Sequence, residues 1–72
     1  MTSSKSDLEM ARRHIATGEK VIDRQRALIA DLESAGSDAA DARALLTTFV
    51  EAQWLHVEHL ERLENRLGLS NT

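Results

Sequence analysis

The stretch ESAGSDAAD, residues 33–41, decides the fold. Gly36 suits the left-handed C′ position that ends a helix, because it has no Cβ to penalise a positive φ. Immediately after it, Ser37 or Asp38 can accept a hydrogen bond from the first free N–H groups of a second helix. Asp38 and Asp41 also place negative charge at that helix's positive dipole end. A stop followed at once by a start predicts two helices joined by a tight reversal. The spacing places helix 1 at about 7–34, a turn at 35–37 and helix 2 at about 38–67. Gly68 is the second stop, and 68–72 forms a C-terminal tail. At 1.5 Å per residue each helix is roughly 42–45 Å long.

Upstream of the turn, Ser6-Asp7-Leu8-Glu9 has the S-x-x-E form of a capping box, which predicts a helix start there and a disordered tail over 1–6. From that point Leu8, Ala11, Ile15, Gly18, Ile22, Gln25, Ile29 and Leu32 alternate by three and four over four heptads. Such spacing keeps one stripe facing a partner helix. One column of the stripe is bulky (Leu8, Ile15, Ile22, Ile29). The other begins small or polar (Ala11, Gly18, Gln25), which lets a neighbour approach closely or leaves room for a large side chain. Gly18 costs a helix interior roughly 0.5–1 kcal/mol against alanine, so a packing reason is expected for it. Gln25, beside Arg24, reads either as half of a buried polar pair that sets register or as a seam glutamine next to a solvated arginine.

Downstream, Ala42, Phe49, His56 and Leu63 form one column, and Leu46, Gln53, Leu60 and Leu67 its neighbour. Leu45 and Ala52 flank the first column, with His59 continuing their row. The fold class is therefore all-α, an antiparallel two-helix hairpin. Apolar residues nevertheless extend beyond what one facing helix can cover: Val50, Trp54, Val57 and Leu55 on helix 2, and Met10, Val21 and Leu28 on helix 1. These seven are the candidate interface. They imply a homodimer, most simply two hairpins closing a four-helix bundle, although another protein partner would cover them equally well. On the polar faces, Glu9–Arg13 and Glu58–Arg62 have i,i+4 spacing, worth only ~0.2–0.5 kcal/mol per pair.

Composition narrows the function classes. Seventy-two residues make one small domain, of a size that usually needs a staple or a partner to hold it. The chain has no cysteine, which removes disulfides, thiolate metal sites and cysteine nucleophiles, and no proline to interrupt a helix. A formal net charge of −3 argues against nucleic acid, whose binders carry a basic face. No apolar run approaches the ~20 residues of a membrane span, and MTSSKSD lacks the apolar core of a signal peptide. A cytoplasmic protein that binds no nucleic acid and no membrane is expected. Two helices offer no Ser/His/Asp set, no phosphate loop and no cleft in which to shift a pKa, so an enzyme is not expected.

The three histidines carry the one chemical feature. A turn centred on Gly36 places His14 across from residue 58, near His56 and His59, at one level of the hairpin. Three imidazoles there could supply zinc, nickel or copper, which makes His14, His56 and His59 the candidate metal ligands. The plainer reading is favoured: the rings pack in a helical core or interface, with a pH-sensitive contact as a further option because imidazole titrates near neutrality. No Glu-x-x-His pair of the di-iron type is present, since Gln53 precedes His56 by three. No cofactor is expected.

The segments HIATGEKVIDRQRALIADLESAGSDAADARALLTTF and LHVEHLERL resemble a group of small bacterial helical-hairpin proteins common in alphaproteobacteria. The similar pattern falls on His14, Gly18, Glu19, Arg24, Gln25, Gly36, Asp38, Leu45, Leu46, Phe49, Leu55 and His56. This chain departs from it at Ala39, where threonine is usual, and near Leu60, where a basic residue is usual. The resemblance implies the hairpin fold and carries no activity with it. The expected function is a non-catalytic protein–protein interaction module, a small homodimeric regulator or adaptor. The alternative is a bundle that binds metal or a small ligand at the His14/His56/His59 level.

Overall fold

A computed structural model describes residues 3–68, and within them the chain forms two helices and no strand. Helix α1 runs Ser3–Ser34 and α2 runs Ala40–Arg66, packed side by side as a hairpin. The turn is built as the glycine requires. Gly36 has φ +72°, its N–H donates to the Glu33 carbonyl (3.0 Å), and the Ser37 N–H reaches back to the Leu32 carbonyl (2.8 Å). Those are the two bonds of a Schellman motif, and they satisfy carbonyls that the helix end would otherwise leave free. Gly68 ends α2 in the same left-handed conformation, with φ +75° and its N–H on the Asn65 carbonyl.

Both helix starts differ from expectation. Residues 3–6 are helical rather than a disordered tail, so Ser6 lies inside α1 and does not cap it. The reason is local: SSKS contains no glycine or proline, and extending an existing helix adds a hydrogen bond for each residue fixed. Residues 1–2 of the expected N-terminal tail, and 69–72 of the expected C-terminal one, lie outside the described residues. Helix α2 begins two residues later than expected. Its N-cap residue is Ala39, whose carbonyl accepts from the Arg43 N–H, because Ser37 is already held to α1. Asp38 still serves the helix start, accepting from the Ala40 N–H at 2.9 Å.

The seam follows the heptads. Leu8, Ala11 and Gln25 are buried, while Ile15, Gly18, Ile22, Ile29 and Leu32 are half-buried; on α2 Leu63 is buried, and Ala42, Leu46, Phe49, Gln53, His56 and Leu60 are half-buried. Leu67 and Leu45 stay exposed. Apolar burial is deepest at the open end, where Leu8, Ala11 and Leu63 cluster with Leu60 against them. No large side chain is fully buried. Phe49 is therefore worth less to the lone hairpin than the ~3–5 kcal/mol that a fully buried ring loses on truncation.

Two glutamines tie the helices together. Gln25 Nε2 on α1 donates to the Ala42 carbonyl of α2, and Gln53 Nε2 on α2 donates to the Ile15 carbonyl of α1, both at 2.8 Å. Arg24 is solvated, so Gln25 is a seam glutamine rather than half of a buried pair. The ion pairs among the described residues bridge the helices and do not run along them: Arg12–Glu64 at 3.6 Å, and Arg43–Glu33. Being largely exposed, each is worth little by itself.

Gly18 has its packing reason. A Cβ there would overlap the amide oxygen of Gln53 and force that side chain off the Ile15 carbonyl. Gly18→Ala should therefore destabilise the hairpin by about 1 kcal/mol, where helix propensity alone predicts a gain of ~0.5–1 kcal/mol. In a Gln53→Ala background the same substitution should recover that gain. Denaturant titration of the four proteins checks this, and additive effects would remove Gln53 as the cause.

Candidate functional site

Gly18 marks one of two polar levels of the seam, the other being Gln25 on the Ala42 carbonyl. Beside Gly18 lies a groove of about 260 Å³ lined by His14, Thr17, Gly18 and His56. His14 and His56 face each other across it with ring centroids 5.6 Å apart and planes tilted by 41°. Two buried polar atoms here have no hydrogen-bond partner, Gln53 Oε1 and His56 Nδ1. His59 does not complete a set of three. It is exposed on the flank of α2, and no group of three or more His, Cys, Asp or Glu side chains is gathered for a metal among the described residues. The cause is helical geometry: a step of three residues turns about 300°, so His56 points into the seam and His59 beside it. Two imidazoles supply half of a tetrahedral shell.

The second feature is apolar. Val50, Trp54 and Val57, three of the seven candidate interface residues, line a groove of about 350 Å³ together with Ile22, Arg26 and Gln53. Trp54 is 66% exposed at its edge. The other four do not line this groove. Val21 is half-buried, while Met10, Leu28 and Leu55 are exposed. Heptad spacing explains the division. Val50 and Val57 flank the seam on one side, with Trp54 beyond them, while Val21 and Leu28 flank it on the other. Three contributors escaped the sequence reading of the surface. Ile22 belongs to the bulky seam column, Arg26 stands outside both seam columns, and Leu45, which flanks the first column of α2, is 45% exposed. The signal for Arg26 was present in its spacing of four from Ile22.

The chain matches no protein-family model, no curated protein and no solved structure. No helix among the described residues is long and apolar enough to cross a membrane.

The Gly18 level yields a prediction. His56 carries a buried nitrogen without a partner, so replacing it by an apolar side chain of similar size removes a desolvation penalty. His56→Leu should keep the helical content and melt at the same temperature as the parent or above it, by up to ~1 kcal/mol of added stability. Zinc or a chelator should leave both melts unchanged. A clear loss of stability in the variant, or a zinc-dependent rise confined to the parent, would overturn this.

Proposed function

We propose that this hairpin is a non-catalytic protein–protein interaction module, a small cytoplasmic regulator or adaptor that works as a homodimer, two hairpins closing a four-helix bundle. The observation that carries the reading is the Trp54 groove. A tryptophan left 66% exposed beside half-buried Val50 and Val57 is an anchor awaiting a partner surface. Overall dimensions support it. The radius of gyration is 16.1 Å, where a compact chain of this length has about 11 Å. The chain exposes 5449 Å² of surface, against about 4,500 Å² for a compact monomer of its 8.0 kDa. The surplus, about 1,000 Å², is of the size that one partner contributes to a stable interface, ~800 Å². The opposite flank, with Leu28 and Leu45, stays exposed when the Trp54 side is covered, which is what an adaptor needs. Both grooves are open to solvent, so neither encloses substrate in the way that acid–base or nucleophilic chemistry requires.

A second reading, binding of a metal or small ligand, rests on the facing rings of His14 and His56. Calorimetric titration with zinc or nickel separates the two readings, since stoichiometric binding that is lost in His14→Ala belongs only to the second.

Trp54 is the one tryptophan of the chain and reports directly on the proposed contact. Its emission should shift to the blue as concentration rises through the micromolar range, in step with light scattering that moves from 8.0 kDa to twice that mass. Trp54→Ala should weaken the association at least tenfold, as expected for a central aromatic anchor. Glu61→Ala, an exposed residue, should leave it unchanged. A constant mass of one chain at every concentration would sink the homodimer.

A further inference from the structure

The hairpin's own charges state how a second copy sits on the Trp54 side. Along α1, Arg12, Glu19, Arg26 and Glu33 stand at heptad spacing and alternate in sign. Along α2, on the same side of the seam, the matching row is Arg43, Val50, Val57 and Glu64. The two ion pairs fix these rows against each other: Arg12 meets Glu64 at one end and Glu33 meets Arg43 at the other. Between the ends, Glu19 and Arg26 enter no ion pair with another described residue, and they lie at the levels of Val57 and Val50. Each row is opposite in charge, or apolar on both sides, about its own midpoint. On α1 that midpoint falls between Ile22 and Asp23; on α2 it falls between Gln53 and Trp54. The ion-paired ends put both midpoints at one height of the hairpin, in the middle of the groove lined by Ile22, Val50, Gln53 and Trp54.

We infer that two copies of this chain meet through this side about a two-fold axis lying across both helices, passing α1 between Ile22 and Asp23 and α2 between Gln53 and Trp54. The inference rests on the self-association reading and adds its register. An isologous contact requires that if residue i meets j of the copy, then j meets i of the copy. About this axis Glu19 meets Arg26 of the partner subunit and Arg26 meets Glu19 of the partner subunit. Val50 meets Val57 of the partner subunit, and the two Trp54 rings lie beside the axis. At each end the Arg12–Glu64 pair meets the partner's Glu33 and Arg43, making a four-charge cluster of balanced sign. The nearest unmatched charge, Asp23, stands at the height of the axis, where it comes level with Asp23 of the partner subunit; each is spaced three from Arg26 on its own helix, which offsets the like charge. An axis running parallel to the helices would instead set α1 over α2 of the copy. It would press Glu19 and Arg26 onto valines, leaving two charges without partners at the centre of the contact, which costs desolvation with no compensation.

Charge reversal at two exposed positions tests the register without touching the seam. Glu19→Arg places arginine against Arg26 twice per dimer, and Arg26→Glu places glutamate against Glu19 twice. Each variant should self-associate about tenfold more weakly than the parent or worse, while keeping its helical circular dichroism. Mixed one to one, the two variants should form a heterodimer, because one chain then presents two arginines and the other two glutamates. The double variant Glu19→Arg/Arg26→Glu should recover homodimerisation. Sedimentation equilibrium at low salt, with one chain fluorescently labelled, reads all four. If the parent dimerises and the single variants dimerise equally well, this axis is wrong and self-association stands. If the singles weaken but their mixture does not recover, the reciprocal pairing is wrong. A parent that stays monomeric removes both this register and the reading beneath it.

Discussion

Two reciprocal hydrogen bonds, Gln25 to the Ala42 carbonyl and Gln53 to the Ile15 carbonyl, hold the register on which the rest of this structure depends. An antiparallel pair of helices with leucine and isoleucine at every seam position can slide by one heptad at small cost, because one apolar layer resembles the next. A buried amide cannot slide with it. Moved by about 10 Å, two turns of helix, Gln53 would leave the gap beside Gly18 for Ala11 or Gln25, and its bond to the Ile15 carbonyl would break. Each bond contributes only about 1 kcal/mol to stability, but a mispaired register costs the desolvation of the amide as well. Polar groups at single seam positions are a known device for fixing register in helical assemblies. Here they act in both directions across the seam, one from each helix.

From that register the rest follows. It brings Gly18 opposite Gln53, where only hydrogen leaves room for the amide. It sets Arg12 against Glu64 and Glu33 against Arg43 on one flank, and His14 against His56 on the other. The exposed pairs are weak individually, so they report the register more than they enforce it.

The same register leaves a thin protein. Two helices bury one stripe each, and the only buried apolar residues among those described are Leu8, Ala11 and Leu63 at one end and Ala39 at the turn. Such a chain has little apolar burial with which to offset the entropy of ordering it. Association is the available route to further burial, and the flank of Ile22, Val50, Trp54 and Val57 is where the apolar surface is concave enough to receive another chain. Stability and the proposed function are thus one problem in this protein: the surface that would recognise a partner is also the surface the fold leaves unsatisfied.

The hairpin and its seam were legible in the residues because both depend on local geometry. A glycine at Gly36 permits a positive φ whatever surrounds it, and a three-four repeat keeps one face on one side of any helix. The close approach at Gly18, opposite Gln53, could be read by counting outward from the turn. Other features belonged to the tertiary structure. Asp38 flanks the start of α2 instead of capping it, because Ser37 is bonded back to Leu32. His59 leaves the level of His14 and His56, since a difference of sixty degrees about the helix axis separates a seam position from a flank. The surplus apolar residues, one set in the sequence, fall on two sides of the hairpin, and only the side bounded by interhelix ion pairs forms the Trp54 groove. Periodicity states which residues leave the solvent along one helix. Which of them share a surface depends on how that helix is rotated and slid against its neighbour, and two amides choose that here.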